Sequence, residues 1–195
     1  MSPRALDPAV RNAVMDAAIR ILGTEGRSAL TARRLARETG TSTTVVYTYF
    51  GSMDDLHRHV RRHAITALLA ALDVAETTDD PVADLARAAA IQVDHGCRQP
   101  AMYRIMFVDQ PPDDTDDPGT AVFERFVGLV DRCIRGGRFH PGESHHPAMW
   151  AGQLWTAGHG AVMSALTGLL PHDQVRSLHS DMIHRLCVGY GDDRR

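Results

Sequence analysis

Lysine is absent from the 195-residue chain, so its 21 basic residues other than histidine are all arginines. Cysteine is scarce: Cys97, Cys133 and Cys187 form no Cys-x-x-C pair, which argues against a disulfide framework and favours free thiols that pack as small apolar groups. Long uninterrupted apolar runs are missing, and no secretory signal precedes the first apolar stretch. Neither a membrane span nor export is therefore predicted, and a cytoplasmic location is expected.

Strand patterns are also nearly absent, because only residues 43–50 are rich in β-branched and aromatic side chains. Elsewhere apolar residues recur with a period near 3.6, which predicts an all-α fold. Asp7-Pro8 and Asp80-Pro81 each combine an N-cap with a proline at the first helical position, while Gly23 and Gly26 are expected to end the first helix. Nine helices are predicted, at about residues 8–22, 31–39, 42–50, 52–72, 81–98, 100–107, 120–135, 147–170 and 172–189.

Charge is unevenly distributed along the chain. Residues 1–64 contain ten arginines and six acidic residues, whereas residues 65–195 contain eleven arginines and eighteen acidic residues. A basic N-terminal part followed by an acidic remainder is typical of a protein that binds a polyanion through its basic part. Taken alone, the same arginines could equally form a solvated helical surface. The Asp-rich segment 109–118 is predicted to be a flexible surface connection and not a metal site.

Residues 31–50 have the pattern of a helix-turn-helix. Two short helices are joined at Gly40, and Leu35 and Ala36 on the first would pack against Val45 or Val46 on the second. Short polar residues at the start of the second helix could reach base edges or phosphates in a major groove. A generic helical hairpin with a capped turn is the alternative.

The same stretch resembles the TetR family of regulators. That family has a threonine-initiated second helix, a glycine-containing turn and a Tyr-x-His-Phe-like ending, followed by a helix that opens with Ser-Lys-Glu-x-Leu. Here residues 46–50 read VYTYF and residues 52–56 read SMDDL. Tyr49 thus replaces the usual histidine, and Met53 replaces a lysine that typically contacts a phosphate. Arg33, Arg34 or the N-terminus of helix four could supply part of that contact.

The resemblance implies a helix-turn-helix DNA-binding domain at residues 1–52 and a ligand-binding and dimerisation domain at residues 53–195. The candidate DNA-binding residues are Thr31, Arg33, Thr41, Ser42, Thr43, Thr44, Tyr47 and Tyr49.

In the second half, PAMYRIMF at 100–107 and WTAGHG at 155–160 resemble segments of a TetR subgroup with a Trp-His-Gly type regulatory domain. Helix eight carries a ridge of small residues, and helix nine is apolar on more than one side, which predicts a homodimer built on these two helices. Alternatively, helix nine is enclosed within the monomer. The candidate dimer-interface residues are Gly152, Thr156, Gly160, Ser164, Val175, Leu178, Met182 and Leu186.

Apolar and aromatic residues of the second half could line a pocket for a small effector with one polar handle. The candidates are Met102, Met106, Phe107, Phe123, Phe126, Trp155, His159 and Met163. Each could instead belong to the ordinary core, and His159 could be satisfied by a neighbouring helix.

These patterns predict a ligand-responsive transcriptional regulator, a repressor that a small molecule releases from a palindromic operator. The alternative is a TetR-like helical sensor or scaffold with weak or lost DNA binding. An enzyme is not predicted, because neither a Gly-x-Ser-x-Gly nor a His-Glu-x-x-His pattern is present. No metal or cofactor is expected. Double-stranded operator DNA, an effector and a second copy of the chain are the expected partners, with no membrane among them.

Overall fold

The computed structural model describes residues 7–75, 77–108, 119–142 and 146–193. Within these ranges it contains nine α-helices and one 3-10 turn, with no strand, which confirms the predicted all-α fold. The helices are α1 (Pro8–Glu25), α2 (Ala32–Thr39), α3 (Thr43–Phe50), α4 (Met53–Asp73), α5 (Pro81–Arg98), α6 (Pro100–Phe107), α7 (Gly119–Arg135), α8 (Pro147–Leu166) and α9 (His172–Gly189).

Local capping rules account for where several helices begin. An Asp7 carboxylate oxygen accepts a hydrogen bond from the backbone N–H of Ala9, and Asp80 accepts from Val82 and Ala83. Both caps precede a proline, as the sequence predicts. At α4, the Ser52 hydroxyl accepts from the backbone N–H of Asp55 and donates to its carboxylate. These contacts satisfy backbone donors that the helix itself leaves unpaired.

The chain divides into two compact units. The first comprises Met1–Thr66 and Pro100–Asp117, and the second comprises Ala67–Gln99 and Pro118–Arg195. In the first unit α1 packs against α2 and α6, and α2 packs against α3. In the second unit α8 packs against α5, α7 and α9. The predicted connection at 109–118 lies outside the described residues.

Two predicted helix ends are wrong. Gly23 does not end α1, which continues to Glu25 and stops at Gly26, where the backbone turns to a φ of 79°. Gly23 lies inside the helix, and the lack of a side chain there lets α6 approach closely: an added Cβ would lie 2.2 Å from the Cβ of Ala101. Helix α8 ends at Leu166 and not near Leu170, since the chain reverses through Gly168, whose φ is 72°.

The 3-10 turn Arg27–Ala29 has no counterpart in the sequence-based prediction. It occupies the short connection between α1 and α2, where Leu30 N–H bonds back to the Arg27 carbonyl. None of the helices in the described ranges combines the length and the apolar character that crossing a bilayer requires.

Candidate functional site

Helices α2 and α3 form the predicted helix-turn-helix. Gly40 adopts a left-handed conformation, with φ 65° and ψ 23°, and Thr41 N–H bonds to the Ala36 carbonyl 2.9 Å away. This turn brings the two helices together, because glycine has no Cβ to strain at positive φ. Leu35 on α2 and Val46 on α3 are buried, whereas Val45 is only half-buried. The sequence allowed either valine to pack against α2. The burial of Val46 shows that it supplies the apolar face of α3.

One side of α3 is exposed to solvent. Ser42, Thr43, Thr44 and Tyr47 all lie on it, and Tyr47 is 47% exposed. In sequence they occupy the first turn and the start of the second, which is the part of a recognition helix that reaches base edges. The structure thus brings these four predicted DNA-binding residues together on one accessible surface.

Three of the predicted hydroxyls, including that of Ser42, take part in the local structure of the motif. Thr31 accepts from the backbone N–H of Arg34, and Ser42 accepts from that of Val45, so both are N-caps. Thr41 shares a hydrogen bond of 2.9 Å with Thr39. A capping hydroxyl still carries a proton that it can donate to a phosphate oxygen. Capping and phosphate contact are therefore compatible at Thr31 and Ser42.

Tyr49 is placed differently from Tyr47. Its hydroxyl donates to the backbone carbonyl of Asp7, 3.0 Å away, and so ties the end of α3 to the start of α1. A phosphate can only accept a hydrogen bond, and a hydroxyl has a single proton. In this arrangement Tyr49 serves the packing of the first unit and has no proton left for a phosphate.

The arginines of α2 fall into two groups. Arg34 bonds to Glu25 at 2.8 and 2.9 Å and to Glu38 at 2.6 Å, so it is held in an ion-pair network. Arg33 and Arg37 are exposed and make no ion pair within the described ranges. Four residues apart on a helix, they project from the same side. Arg37 was not among the predicted residues, although its spacing from Arg33 could have indicated it.

A shallow groove of about 860 Å³ runs along α8 and α9 in the second unit. Seven of the eight predicted dimer-interface residues line it: Gly152, Thr156, Gly160, Ser164, Leu178, Met182 and Leu186. Around the Cα atoms of Gly152 and Gly160 a Cβ would meet nothing within 4 Å. Val175 is the exception, since it is fully buried inside the unit and turned away from the groove.

The predicted effector-binding residues are divided between the two units. Met102, Met106 and Phe107 belong to α6 in the first unit. The other five belong to α7 and α8 in the second: Phe123, Phe126, Trp155, His159 and Met163. Among these, Phe126 and Trp155 meet edge to face with ring centroids 5.9 Å apart. Phe126 is fully buried, whereas Trp155 and His159 are half-buried, and burial lowers the pKa of His159.

Gln92 on α5 is a residue that sequence reasoning missed. It is fully buried, and neither atom of its amide has a hydrogen-bond partner within the described residues. The amide lies against α8 at Gly158, where a Cβ would be 2.9 Å from Gln92 Oε1. Glycine at 158 therefore makes room for a buried polar group, and only a packed structure could reveal this pairing.

Both halves of the chain match known family models. Residues 14–60 match the model described as bacterial regulatory proteins, tetR family, and residues 85–186 match the tetracyclin repressor-like C-terminal domain. An HTH-type transcriptional regulator of Mycobacterium tuberculosis, Rv0681, is 26% identical over 92% of this chain and 80% of its own length.

Solved structures resemble the chain in fold. A protein of unknown function from Rhodococcus sp. RHA1 has a TM-score of 0.78 at 22% identity, covering 98% of this chain and 100% of its own. A TetR-like transcriptional regulator from the same organism has a TM-score of 0.73 at 17% identity, covering 97% and 100%.

Proposed function

Because the chain belongs to the tetR family of bacterial regulatory proteins and is a helix-turn-helix transcriptional regulator, we propose that it is a repressor that a small molecule releases from a palindromic operator. Residues 1–52 are the proposed DNA-binding domain, and residues 53–195 the proposed ligand-binding and dimerisation domain. The observation that carries the DNA-binding part is the exposed surface of α3, together with Arg33 and Arg37 on α2, which are exposed and make no ion pair within the described residues.

On this proposal the early residues of α3 lie in the major groove. Thr43 and Thr44 contact base edges, since short hydroxyl side chains can both donate and accept there. Tyr47 and the capping hydroxyls of Thr31 and Ser42 contact phosphates, which set the position of the motif on the duplex. Thr41 acts through its bond to Thr39 by holding the turn.

Arg33 takes over the phosphate contact that lysine makes in relatives. Met53 occupies that lysine's position, and it carries no charge. Arg34 is a poor substitute because two glutamates already neutralise it. Arg33 and Arg37 make no ion pair with the described residues, so their guanidinium groups are available to a phosphate.

We place the dimer interface on the groove of α8 and α9. Its small residues would let helices of a second copy approach closely, and its exposed apolar residues, including Leu178 at 44%, would gain from burial. A two-fold dimer places two recognition helices about 34–36 Å apart, which is why the operator should be palindromic. An effector acts by binding better to one spacing of those helices than to another.

A regulatory protein with weak DNA affinity is the second candidate. The replacement of lysine by Met53 and the two carboxylates that follow it in the first turn of α4 favour this reading. Asp54 is paired with Arg27 at 2.7 Å, which reduces but does not remove its repulsion of a phosphate.

Titration of the dimeric protein into a labelled duplex of its own upstream intergenic DNA, across a salt series, tests the proposal. We expect preference over a scrambled duplex and a steep fall of affinity with salt. Arg33→Ala should weaken binding about tenfold or more and reduce the salt slope by about two, because each chain of the dimer loses one phosphate contact. Arg135→Ala, which removes an exposed arginine from α7, is the matched control and should change neither quantity.

Equal, weak binding to both duplexes at low salt would favour the second candidate. A genome-wide selection for bound fragments then shows whether an operator exists elsewhere. Recovery of a palindromic site restores the first proposal, and recovery of random fragments rejects it.

A further inference from the structure

A cavity of about 540 Å³ lies between α5 and α9 in the second unit. Its volume is within the range of small-molecule sites in proteins. The lining is mixed: Val82, Ala86, Val93 and Ile183 are apolar, but eight of the fifteen lining residues are polar or charged, and Arg176, Ser180 and His184 among these are exposed. None of the residues that line it belongs to the predicted effector set or to the groove of α8 and α9. The cavity is therefore separate from every site discussed above.

One buried polar side chain of the wall has an atom without a hydrogen-bond partner in the described residues. His179 is 3% exposed, and its Nε2 has no hydrogen bond within the described part of the chain. Burial lowers the pKa of His179 to about 4, so its ring is neutral at pH 7. A neutral imidazole carries its proton on either nitrogen, so Nε2 can donate or accept. A buried polar atom without a partner is costly, and a ligand group would remove that cost.

The charged groups around the cavity are already paired with one another. Arg138 bonds to Asp192 at 2.6 Å and to Asp80 at 2.8 Å, and Arg176 bonds to Asp94 at 2.6 Å. A charged ligand would have to compete with these pairs for its counter-charge. A neutral ligand would not have to compete with these ion pairs.

We propose that the cavity between α5 and α9 binds an uncharged small molecule whose hydroxyl or carbonyl group pairs with His179. The apolar part of the wall contributes buried area, and His179 orients the molecule. This proposal concerns binding alone and does not depend on the proposed DNA function, so the failure of one would leave the other standing.

Prodan, a neutral naphthyl ketone whose fluorescence shifts to the blue in apolar surroundings, is the probe for the full-length protein. We expect one molecule bound per chain. Ala86→Phe, which fills the cavity from its half-buried wall, should weaken binding about tenfold or more. His179→Leu removes the polar partner and should weaken binding about two- to tenfold.

Controls separate this site from non-specific binding. Ser177→Phe adds the same ring to an exposed position on α9 outside the cavity and should leave prodan binding unchanged. Ala83→Phe, at an exposed position of the cavity wall, replaces Ala86→Phe if circular dichroism shows that the latter does not fold. No prodan binding up to its solubility limit, or binding that neither cavity-filling variant weakens, would overturn the proposal. The anionic probe anilinonaphthalene sulfonate tests the charge of the ligand. If the protein binds it as tightly as prodan, and the cavity-filling variants abolish that binding, the ligand need not be uncharged and that part of the proposal is wrong.

Discussion

At the scale of single residues, the two tyrosines of α3 show how position decides the use of one functional group. Tyr47 is exposed on the proposed recognition surface, whereas the hydroxyl of Tyr49 is bonded to the carbonyl of Asp7. The sequence presents both as tyrosines at the end of a helix, two positions apart. Only the arrival of α1 beside α3 distinguishes them.

Replacing each tyrosine with phenylalanine should separate the two roles. Tyr47→Phe should weaken operator binding with little change in stability. Tyr49→Phe should instead lower the free energy of unfolding by about 0.5–1.5 kcal/mol, the usual value of one hydrogen bond, with operator affinity retained. Urea unfolding and DNA titration of both variants measure the two effects. A loss of DNA affinity in Tyr49→Phe alone would contradict this assignment.

Asp84 is a residue whose charge stabilises the second unit. Burial by itself would raise its pKa, but hydrogen bonds from Thr78 and from Arg132 and Arg87 outweigh that effect and hold the pKa below its usual 3.8. The carboxylate thereby joins the segment before α5 to α7. Because the folded state binds the proton less readily than the unfolded state, this stabilisation is complete above about pH 4 and declines as the pH falls further.

Asp84→Ala should lower the free energy of unfolding at pH 7 by about 1–3 kcal/mol, because it removes a buried acceptor from three partly exposed donors. The difference from the wild type should stay constant down to about pH 4 and shrink below it. Urea unfolding across this pH range measures it. Asp131→Ala, which removes an exposed partner of Arg135, is the control and should cost less than about 1 kcal/mol. A difference that does not depend on pH would show that the charge is unimportant.

At the scale of helices, adding a side chain to a glycine should have opposite effects on stability in α1 and α7. Gly23 faces α6, and an added Cβ would overlap Ala101 at 2.2 Å. Gly128 faces open space, with nothing within 4 Å of an added Cβ. Helix propensity favours alanine equally at both positions, so packing alone decides the sign of the effect.

Gly128→Ala should raise the free energy of unfolding by about 0.5–1 kcal/mol. Gly23→Ala should lower it by about 1–3 kcal/mol, because the overlap forces α1 and α6 apart. Denaturant unfolding of the two variants side by side makes each the control of the other. Stabilisation by Gly23→Ala would mean that α6 does not approach α1 as closely as described.

At the scale of the whole molecule, the groove of α8 and α9 is the feature that a second copy would cover. Gly160→Glu places a charge in that groove, and Gly128→Glu places the same charge on α7, where no partner is proposed. We expect the first variant to be a monomer by light scattering, with greatly reduced operator affinity, and the second to remain a dimer. A dimer in both variants would remove the groove from the interface.

The all-α fold, the helix-turn-helix and the family follow from the sequence alone, because caps, prolines, apolar periodicity and motif spacing act between residues close together in the chain. The tertiary structure decided which of those residues are free to act. The Tyr49 hydroxyl is engaged by the carbonyl of Asp7, the charge of Arg34 is paired with Glu25, and Val175 lies in the core while Leu178 lies in the groove. The cavity beside His179 exists only because α5 and α9, distant in sequence, lie side by side. Such contacts depend on the packing of remote segments, which no local pattern specifies.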